Sequence, residues 1–365
     1  DSDSARVSGE YRRFWDATLD TRFASGTYLP ILEEDSASQT NDEVLIASTS
    51  FKGNLIGLWE YYADPNYRLY AREYNGATPG WGVIGSNGRV ATTEVIFIGL
   101  DILATKTHLS ALAVEENDHY IYRSTDGESW ANASQQPTAN LLTDNVTKNE
   151  DIDAGLLADI GGEMVAILWH EANGTITFFS STDAGDNWTS GAGKDEGIDI
   201  ASGNGPQGVA VMAGIDNEDK LYVGTREGLY EVDTGPSTWT TRLIFSMTAH
   251  NDNCRRMKVM HDGALWFAQG VDDSTPPIVY RMFVSNGARV IERVPNDFSR
   301  GDGVTADALG SIRWMESAGG MVYVSAGGGA ASRNARIWAH NGKGWHSMRQ
   351  HDTANRKIQW IAASS

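Results

Sequence analysis

The chain has 365 residues, 41% of them hydrophobic, and 48 acidic against 29 basic side chains give it a net charge of −19. That balance argues against nucleic acid and anionic membrane surfaces as partners, because both require a basic face, while it aids solubility and attracts cations or basic partners. Cys254 is the only cysteine, which excludes an intramolecular disulfide and any zinc site built on several thiolates.

In chain order, Tyr11 to Trp15, Asp20 to Phe23 and Tyr28 to Leu32 read as three short strands. Val95 to Leu103 is too short to span a membrane and reads as sheet. Tyr120-Ile121-Tyr122-Arg123 leads into Ser124-Thr125-Asp126-Gly127-Glu128-Ser129-Trp130, and Thr175 to Phe179 leads into Ser181-Thr182-Asp183-Ala184-Gly185-Asp186-Asn187-Trp188. Both are hairpins on chemical grounds: Ser and Asp oxygens accept the free N–H groups of a tight turn, Gly supplies a positive φ, and Trp starts the returning strand with a large apolar surface.

Weaker versions recur. Asn75-Gly76 precedes Trp81, Asp233-Thr234-Gly235 precedes Trp239, Asn286-Gly287 precedes Val290, and Asn341-Gly342-Lys343-Gly344 precedes Trp345. The spacing, roughly 50 to 58 residues, is that of a four-stranded repeat unit. One unit reads in full as Val209 to Ala213, Leu221 to Gly224, Gly228 to Val232 and Thr238 to Leu243, and the next two repeat the order from Arg256 and from Ser311. Six such units fit between Asp42 and His351, leaving the N-terminal strands and Ile358 to Ala363 over.

The two complete turns resemble the Asp-box, or bacterial neuraminidase repeat, which lies on the outer hairpin of β-propeller blades. Ser124, Asp126, Gly127 and Trp130, and again Ser181, Asp183, Gly185 and Trp188, carry the resemblance. It implies an all-β propeller of four-stranded antiparallel blades over the whole chain, 1–365. Seven blades are preferred to six: residues 42–351 form six, and residues 1–36 with 356–365 close another, which removes exposed sheet edges. No long amphipathic helix is expected, only helical turns near Asp64 to Asn66 or Asp302 to Leu309. The segments Leu221 to Tyr230, Met257 to Phe267 and Ile337 to His346 are similar to propeller modules of phage tail-associated and other virion proteins.

The fold alone does not select a chemistry. Sialidases carry an arginine in a segment to which Tyr28-Leu29-Pro30-Ile31-Leu32 is the nearest match, but Leu29 stands at the arginine position and offers a substrate carboxylate no bidentate partner. Arg255, Arg256 and Arg313 fall on expected inner strands, where an all-β core commonly pairs such groups with its own carboxylates. The histidines are scattered without metal-ligand spacing. Glu115-Glu116-Asn117-Asp118, Asp216-Asn217-Glu218-Asp219 and Asp272-Asp273 gather hard oxygens as solvated turns or, alternatively, calcium loops. Arg300-Gly301-Asp302 reads as a turn, the Gly-rich run Ala326 to Ala331 as a flexible strand connection, and the four Asn-X-Ser/Thr patterns at Asn132, Asn145, Asn173 and Asn187 as structural.

The expected function is therefore a non-enzymatic binding or structural propeller of an extracellular particle, a phage tail or virion surface, with no cofactor and with virion proteins or surface glycans as partners. The start at Asp1 fits a processed chain or an excised one. A secreted glycoside hydrolase or polysaccharide lyase is the alternative, with Trp169-His170-Glu171 one place for an acid or base. Any ligand is expected opposite the boxed turns, on loops carrying Tyr61, Tyr62, Glu115, Asp118, Trp169, Glu171, Arg226, Asp272 and Asp273, where aromatics can stack on sugars and carboxylates accept hydroxyls. Protein contacts around the rim are the competing use of these loops.

Overall fold

The computed structural model describes residues 11–13, 30–35, 43–63, 66–74, 81–84, 88–90, 97–115, 118–134, 136, 155–170, 175–188, 198–199, 205–235, 239–271, 275–295, 310–326, 336–350 and 358–363. Among these, every regular element is a strand, and six sheets of four antiparallel strands follow one another along the chain as blades. Blade one comprises Glu43–Phe51, Asn54–Ala63, Asn66–Tyr74 and Trp81–Val83; blade two comprises Phe97–Ala104, Leu109–Glu115, Asp118–Ser124 and Ala131–Asn132. Blade three is Gly155–Ile160, Glu163–His170, Thr175–Ser181 and Ile198–Asp199, and blade four Gly208–Ala213, Asp219–Thr225, Gly228–Thr234 and Trp239–Ser246. Blade five is Lys258–Val259, Leu265–Gln269, Ile278–Ser285 and Ala288–Val294, and blade six Ile312–Ala318, Met321–Ala326, Arg336–His340 and Trp345–Gln350.

The two ends of the chain meet in a smaller sheet. Pro30–Asp35 pairs antiparallel with Tyr11–Arg13 on one side and with Ile358–Ala363 on the other, in the register Ile31 to Ala363 and Leu32 to Ala362. Ile358–Ala363 packs between the inner strands of blades six and one. This terminal sheet has three strands, one short of a blade, so the complete four-stranded blades number six among the described residues. The expected strand Asp20 to Phe23 and the expected helical turn Asp302 to Leu309 lie outside the described residues, and Asn66 opens a strand.

The core lies between the sheets, not at their common axis. Leu221 and Val223 pack with Ile167, Phe178 and Trp239 across the contact of blades three and four, while Tyr222 between them joins Leu265, Phe267 and Met282 across blades four and five. A strand alternates its side chains between two faces, and here a neighbouring blade covers each face. That explains why Leu221, Tyr222 and Val223 are all fully buried and why such strands read as continuous apolar runs.

Meander topology sends alternate turns to opposite ends of the strands, so the first-to-second and third-to-outer turns share one face, termed lower here. The turn at Ser181 is self-contained. Ser181 Oγ donates to Asp183 Oδ1 at 2.7 Å and accepts the Gly185 N–H at 2.9 Å; Asp183 Oδ1 accepts the N–H groups of Asp186 and Asn187; Trp188 Nε1 donates to the Gly185 carbonyl at 2.9 Å. Ser124, Asp126, Gly127 and Trp130 repeat this with distances between 2.7 and 2.9 Å for the corresponding bonds. Gly127 and Gly185 both have φ +82, a left-handed conformation that a side chain resists.

Blade six uses other residues for the same device. His340 Nδ1 accepts the N–H of Gly342, whose φ is +84, and Asn341 Oδ1 accepts the N–H groups of Lys343 and Gly344 before Trp345 begins the outer strand. Trp239 and Trp345 are buried at the start of their outer strands, as the repeat requires, whereas Trp188 is buried but precedes the outer strand Ile198–Asp199 by ten residues. Trp130 holds the equivalent place but is half-buried, packing at the edge of the cluster between blades one and two. Adjacent turns are also tied together: Arg123 donates to the carbonyls of Ala184 and Asp183 and pairs with Asp186 at 2.7 Å, and Lys52 donates to the Thr125 carbonyl.

Candidate functional site

On the upper face, the connection from blade four to blade five, residues 247–257, is built as a rigid platform. Asn253 is fully buried; its Nδ2 donates to the carbonyls of Arg226 and Thr248, and its Oδ1 accepts the Gly270 N–H at 2.7 Å. The Cys254 N–H reaches the Ala268 carbonyl at 2.7 Å, and the Arg256 N–H the Gln207 carbonyl at 3.0 Å. Close approach depends on glycine: a Cβ on Gly208 would lie 2.3 Å from the Cys254 carbonyl oxygen, and one on Gly224 2.2 Å from the Cys254 Cβ.

Cys254 and Arg256 are both left-handed, with φ +55 and +50. Such conformations cost on the order of 1 kcal/mol or more for residues with a Cβ, and they persist where surrounding bonds over-determine the backbone. Their effect here is to present two successive arginines at the ring's axis. The Arg256 guanidinium lies over the Trp314 ring at 4.7 Å, donates to the Ile46 carbonyl at 3.1 Å and approaches Asp101 Oδ1 at 3.8 Å, so one side chain joins the entrance of blade five to blades six, one and two.

Asp252 Oδ1 receives Arg255 Nη1 at 3.0 Å and Arg313 Nη1 at 2.6 Å. Burial works against ionisation of Asp252, but Arg313 and Arg255 outweigh it and hold the carboxyl below its ordinary value. Asp101 behaves oppositely: burial raises its pKa, and Arg256 with the N–H groups of Leu157 and Ile102 offsets this only in part. The Asp252 N–H points to His250 Nδ1 at 3.1 Å, which commits that nitrogen as an acceptor. Burial raises the Cys254 thiol far above its usual value, so it remains protonated and unreactive. The result is a half-open cationic cluster of three arginines, Arg255 with 34% of its side chain exposed, in a strongly acidic protein.

Of the residues expected on this face, Arg226 meets the platform, its carbonyl accepting from Asn253 Nδ2 and from the His250 N–H. Tyr61 and Tyr62 end the second strand of blade one opposite Arg68 and Tyr67, and Glu115 faces Asp118 across the upper end of blade two. Trp169 ends its strand on the same side but is 4% exposed, enclosed in the packing of blades three and four with Gly205 against its ring. Its ring is therefore core rather than a stacking platform for a sugar. Glu171, Asp272 and Asp273 lie outside the described residues.

The acidic loop Asp216 to Asp219 is organised around an internal cation: Lys220 Nζ lies 2.8 Å from Asp216, 3.1 Å from Asp233 and 3.4 Å from Glu218. Burial opposes the lysine charge, and the bonds to Asp216 and Asp233 overcome it and raise the pKa. Among the described residues no three His, Cys, Asp or Glu side chains converge as a metal would require.

The three arginines do pair with the protein's own carboxylates, but only Arg313 lies on an inner strand; Arg255 and Arg256 fall in the connection that precedes Lys258–Val259, because the left-handed Cys254 and Arg256 keep that segment out of the sheet. Their convergence with His250, Asp252 and Asn253 was not anticipated. The available signal was the run His250-Asn251-Asp252-Asn253-Cys254-Arg255-Arg256, dense in polar groups and carrying adjacent arginines in an acidic chain.

No family model matches the sequence, and no curated protein matches it. Solved structures do resemble it. A proposed 6-phosphogluconolactonase from Bacteroides fragilis is 10% identical over 100% of this chain and 96% of its own, with a TM-score of 0.53. The Hadza microbial sialidase Hz136 is 10% identical, with 73% of this chain and 60% of the sialidase covered and a TM-score of 0.43. The SapL1 lectin, solved with alpha methyl fucoside, is 11% identical over 85% of this chain and 96% of its own, with a TM-score of 0.46. At such identities, likeness to the first of these establishes the β-propeller fold, and the chain is an all-β propeller of four-stranded antiparallel blades.

Proposed function

We propose that this chain is a glycan-binding propeller displayed on an extracellular particle, such as a phage tail or virion surface, and that it takes an acidic sugar at the axial end of its upper face. The observation that carries the reading is the platform at residues 247–257, where two left-handed residues and buried Asn253 fix Arg255 and Arg256 beside Arg313. Arginine offers five donors, and Arg255 reaches Asp252 through Nη1, leaving the rest of its fork suited to a carboxylate or sulfate. A cationic cluster in a molecule of net charge −19 also focuses anions onto one place.

Binding is favoured over turnover because the described acids and bases at the axis are committed. Asp252 is held ionised by two arginines, and His250 Nδ1 accepts a backbone N–H. The setting on a particle surface draws on the resemblance of the later blades to virion propeller modules, with neighbouring virion proteins as rim partners.

The test is a glycan array of neutral, carboxylated and sulfated oligosaccharides with the intact protein and with Arg255→Ala. Retention of acidic glycans, weakened at least about tenfold in the variant, is expected. Retention that ignores the substitution, or none at all, removes this reading. Appearance of new reducing or unsaturated ends during incubation assigns the chain to the glycan-active enzymes instead.

A further inference from the structure

We infer that the lower face carries a second, independent ligand site, a cleft between blades four and five that takes a neutral sugar or similar polyol. The cleft encloses about 520 Å³ and is lined by Met212, Ala213 and Asn217 from blade four and by Asp262, Arg281 and Phe283 from blade five. That volume lies within the range of small-molecule sites, roughly 300 to 1,000 Å³.

Its polar groups are fixed in place. Asp262 accepts from Trp266 Nε1 at 3.2 Å and from the Ala264 N–H at 3.1 Å. Arg281 is held by its Nε on Glu292 and lies over the Phe283 ring at 5.6 Å. Arg281 Nη1 and Asp262 Oδ2 are 3.8 Å apart, beyond direct hydrogen-bond length. A hydroxyl between them would accept from the guanidinium and donate to the carboxylate, completing both.

This donor and acceptor pairing selects hydroxyl groups, which do both, over anions, which only accept. The guanidinium already has two carboxylates as neighbours, so no surplus positive charge draws a charged ligand. Met212, Ala213 and Phe283 supply apolar wall for the C–H faces of a ring. The inference does not depend on the axial site, which lies at the other end of the strands and has the opposite charge preference.

The experiment titrates methyl glycosides of glucose, galactose and mannose, with N-acetylneuraminic acid for comparison, into the full chain while following the ¹⁵N–¹H signal of the Trp266 indole. That group touches Asp262 directly and reports the cleft. At least one neutral glycoside is expected to saturate in the millimolar range. Ala213→Trp, at an exposed position on the cleft wall, together with Asp262→Asn and Arg281→Met, is expected to weaken binding about tenfold or more, with melting temperatures confirming folding. Arg255→Ala is expected to leave it unchanged. Absence of saturable shifts for every neutral glycoside, insensitivity to Ala213→Trp, or a response confined to the acidic sugar overturns the proposal.

Discussion

The lower-face turn at Ser181 to Trp188 and the upper-face platform at 247–257 are both short, hydrogen-bond-dense segments containing left-handed residues, yet they are built on opposite logic. In the turn, the bonds that set its shape connect residues at most four apart. In the platform they reach across the ring: Asn253 to Arg226 and Gly270, Asp252 to Arg313, and Arg256 to Ile46, 210 residues away. A local motif repeats wherever the hairpin repeats and makes scaffold; a non-local one occurs once, and it is where the fold holds a specific constellation.

The sharpest way to break this division is Trp188→Ala. The indole is 1% exposed and its Nε1 closes the turn, so its loss should cost about 3 to 5 kcal/mol in urea unfolding. If the turn is scaffold alone, glycan binding by the molecules that remain folded stays unchanged.

Acid should distinguish one turn from its equivalents. His340 stands where Ser124 and Ser181 stand, but its acceptor is a titratable ring nitrogen. Burial, then the charge of Arg281, pushes its pKa down to about 4. The folded state therefore binds that proton less readily than the unfolded chain, and the stabilisation is complete above about pH 6.5 and lost as pH falls towards 4. At 1.36 kcal/mol per unit the loss is roughly 3 kcal/mol. His340→Gln should flatten this part of the curve of melting temperature against pH; an identical slope in the variant would place the acid sensitivity elsewhere.

Asn253→Ala tests the platform. It leaves the buried Gly270 N–H and two carbonyls without the amide, at a cost of roughly 1 to 3 kcal/mol. Unlike Trp188→Ala, it should also abolish retention of acidic glycans, because Arg255 and Arg256 lose the backbone that aims them. Equal binding by both variants would erase the contrast between the two faces.

The same contrast explains what was legible in the sequence. Ser-X-Asp followed by Gly and Trp marks the hairpins because their chemistry is contiguous, and Asn341-Gly342-Lys343-Gly344 with Trp345 was readable in weakened form, though not the part His340 plays in it. Apolar runs such as Leu221 to Val223 gave the strands, but a run cannot say which face meets which neighbour. Trp169 illustrates the cost: at a strand end beside Glu171 it resembled a sugar platform, and only the packing of blade four against it, with Gly205 on its ring, makes it core. Arg313 and Asp252 are 61 residues apart, and nothing local to either announces the other.

The smallest effect expected lies within the two serine turns and isolates one bond. Burial opposes ionisation of Asp183, but the side chain and N–H of Asn187, with Ser181 and the Asp186 N–H, together outweigh it and hold its pKa well below the usual carboxylate range. Asp126 is lowered too, chiefly by the Ser129 N–H, but Ser129 has no amide to add to it. Both contributions to stability are present above the ordinary aspartate value, about 3.9, and fade as pH falls through the folded one. Asn187→Ala removes the 2.7 Å bond from Nδ2 to Asp183 Oδ2 and keeps the backbone donors. Carboxyl ¹³C titration should then show Asp183 protonating at higher pH, nearer Asp126, while Asp126 itself does not move. If Asp183 is unmoved, the backbone N–H groups and Ser181 fix its charge without the Asn187 amide, and the two turns are electrostatically equivalent.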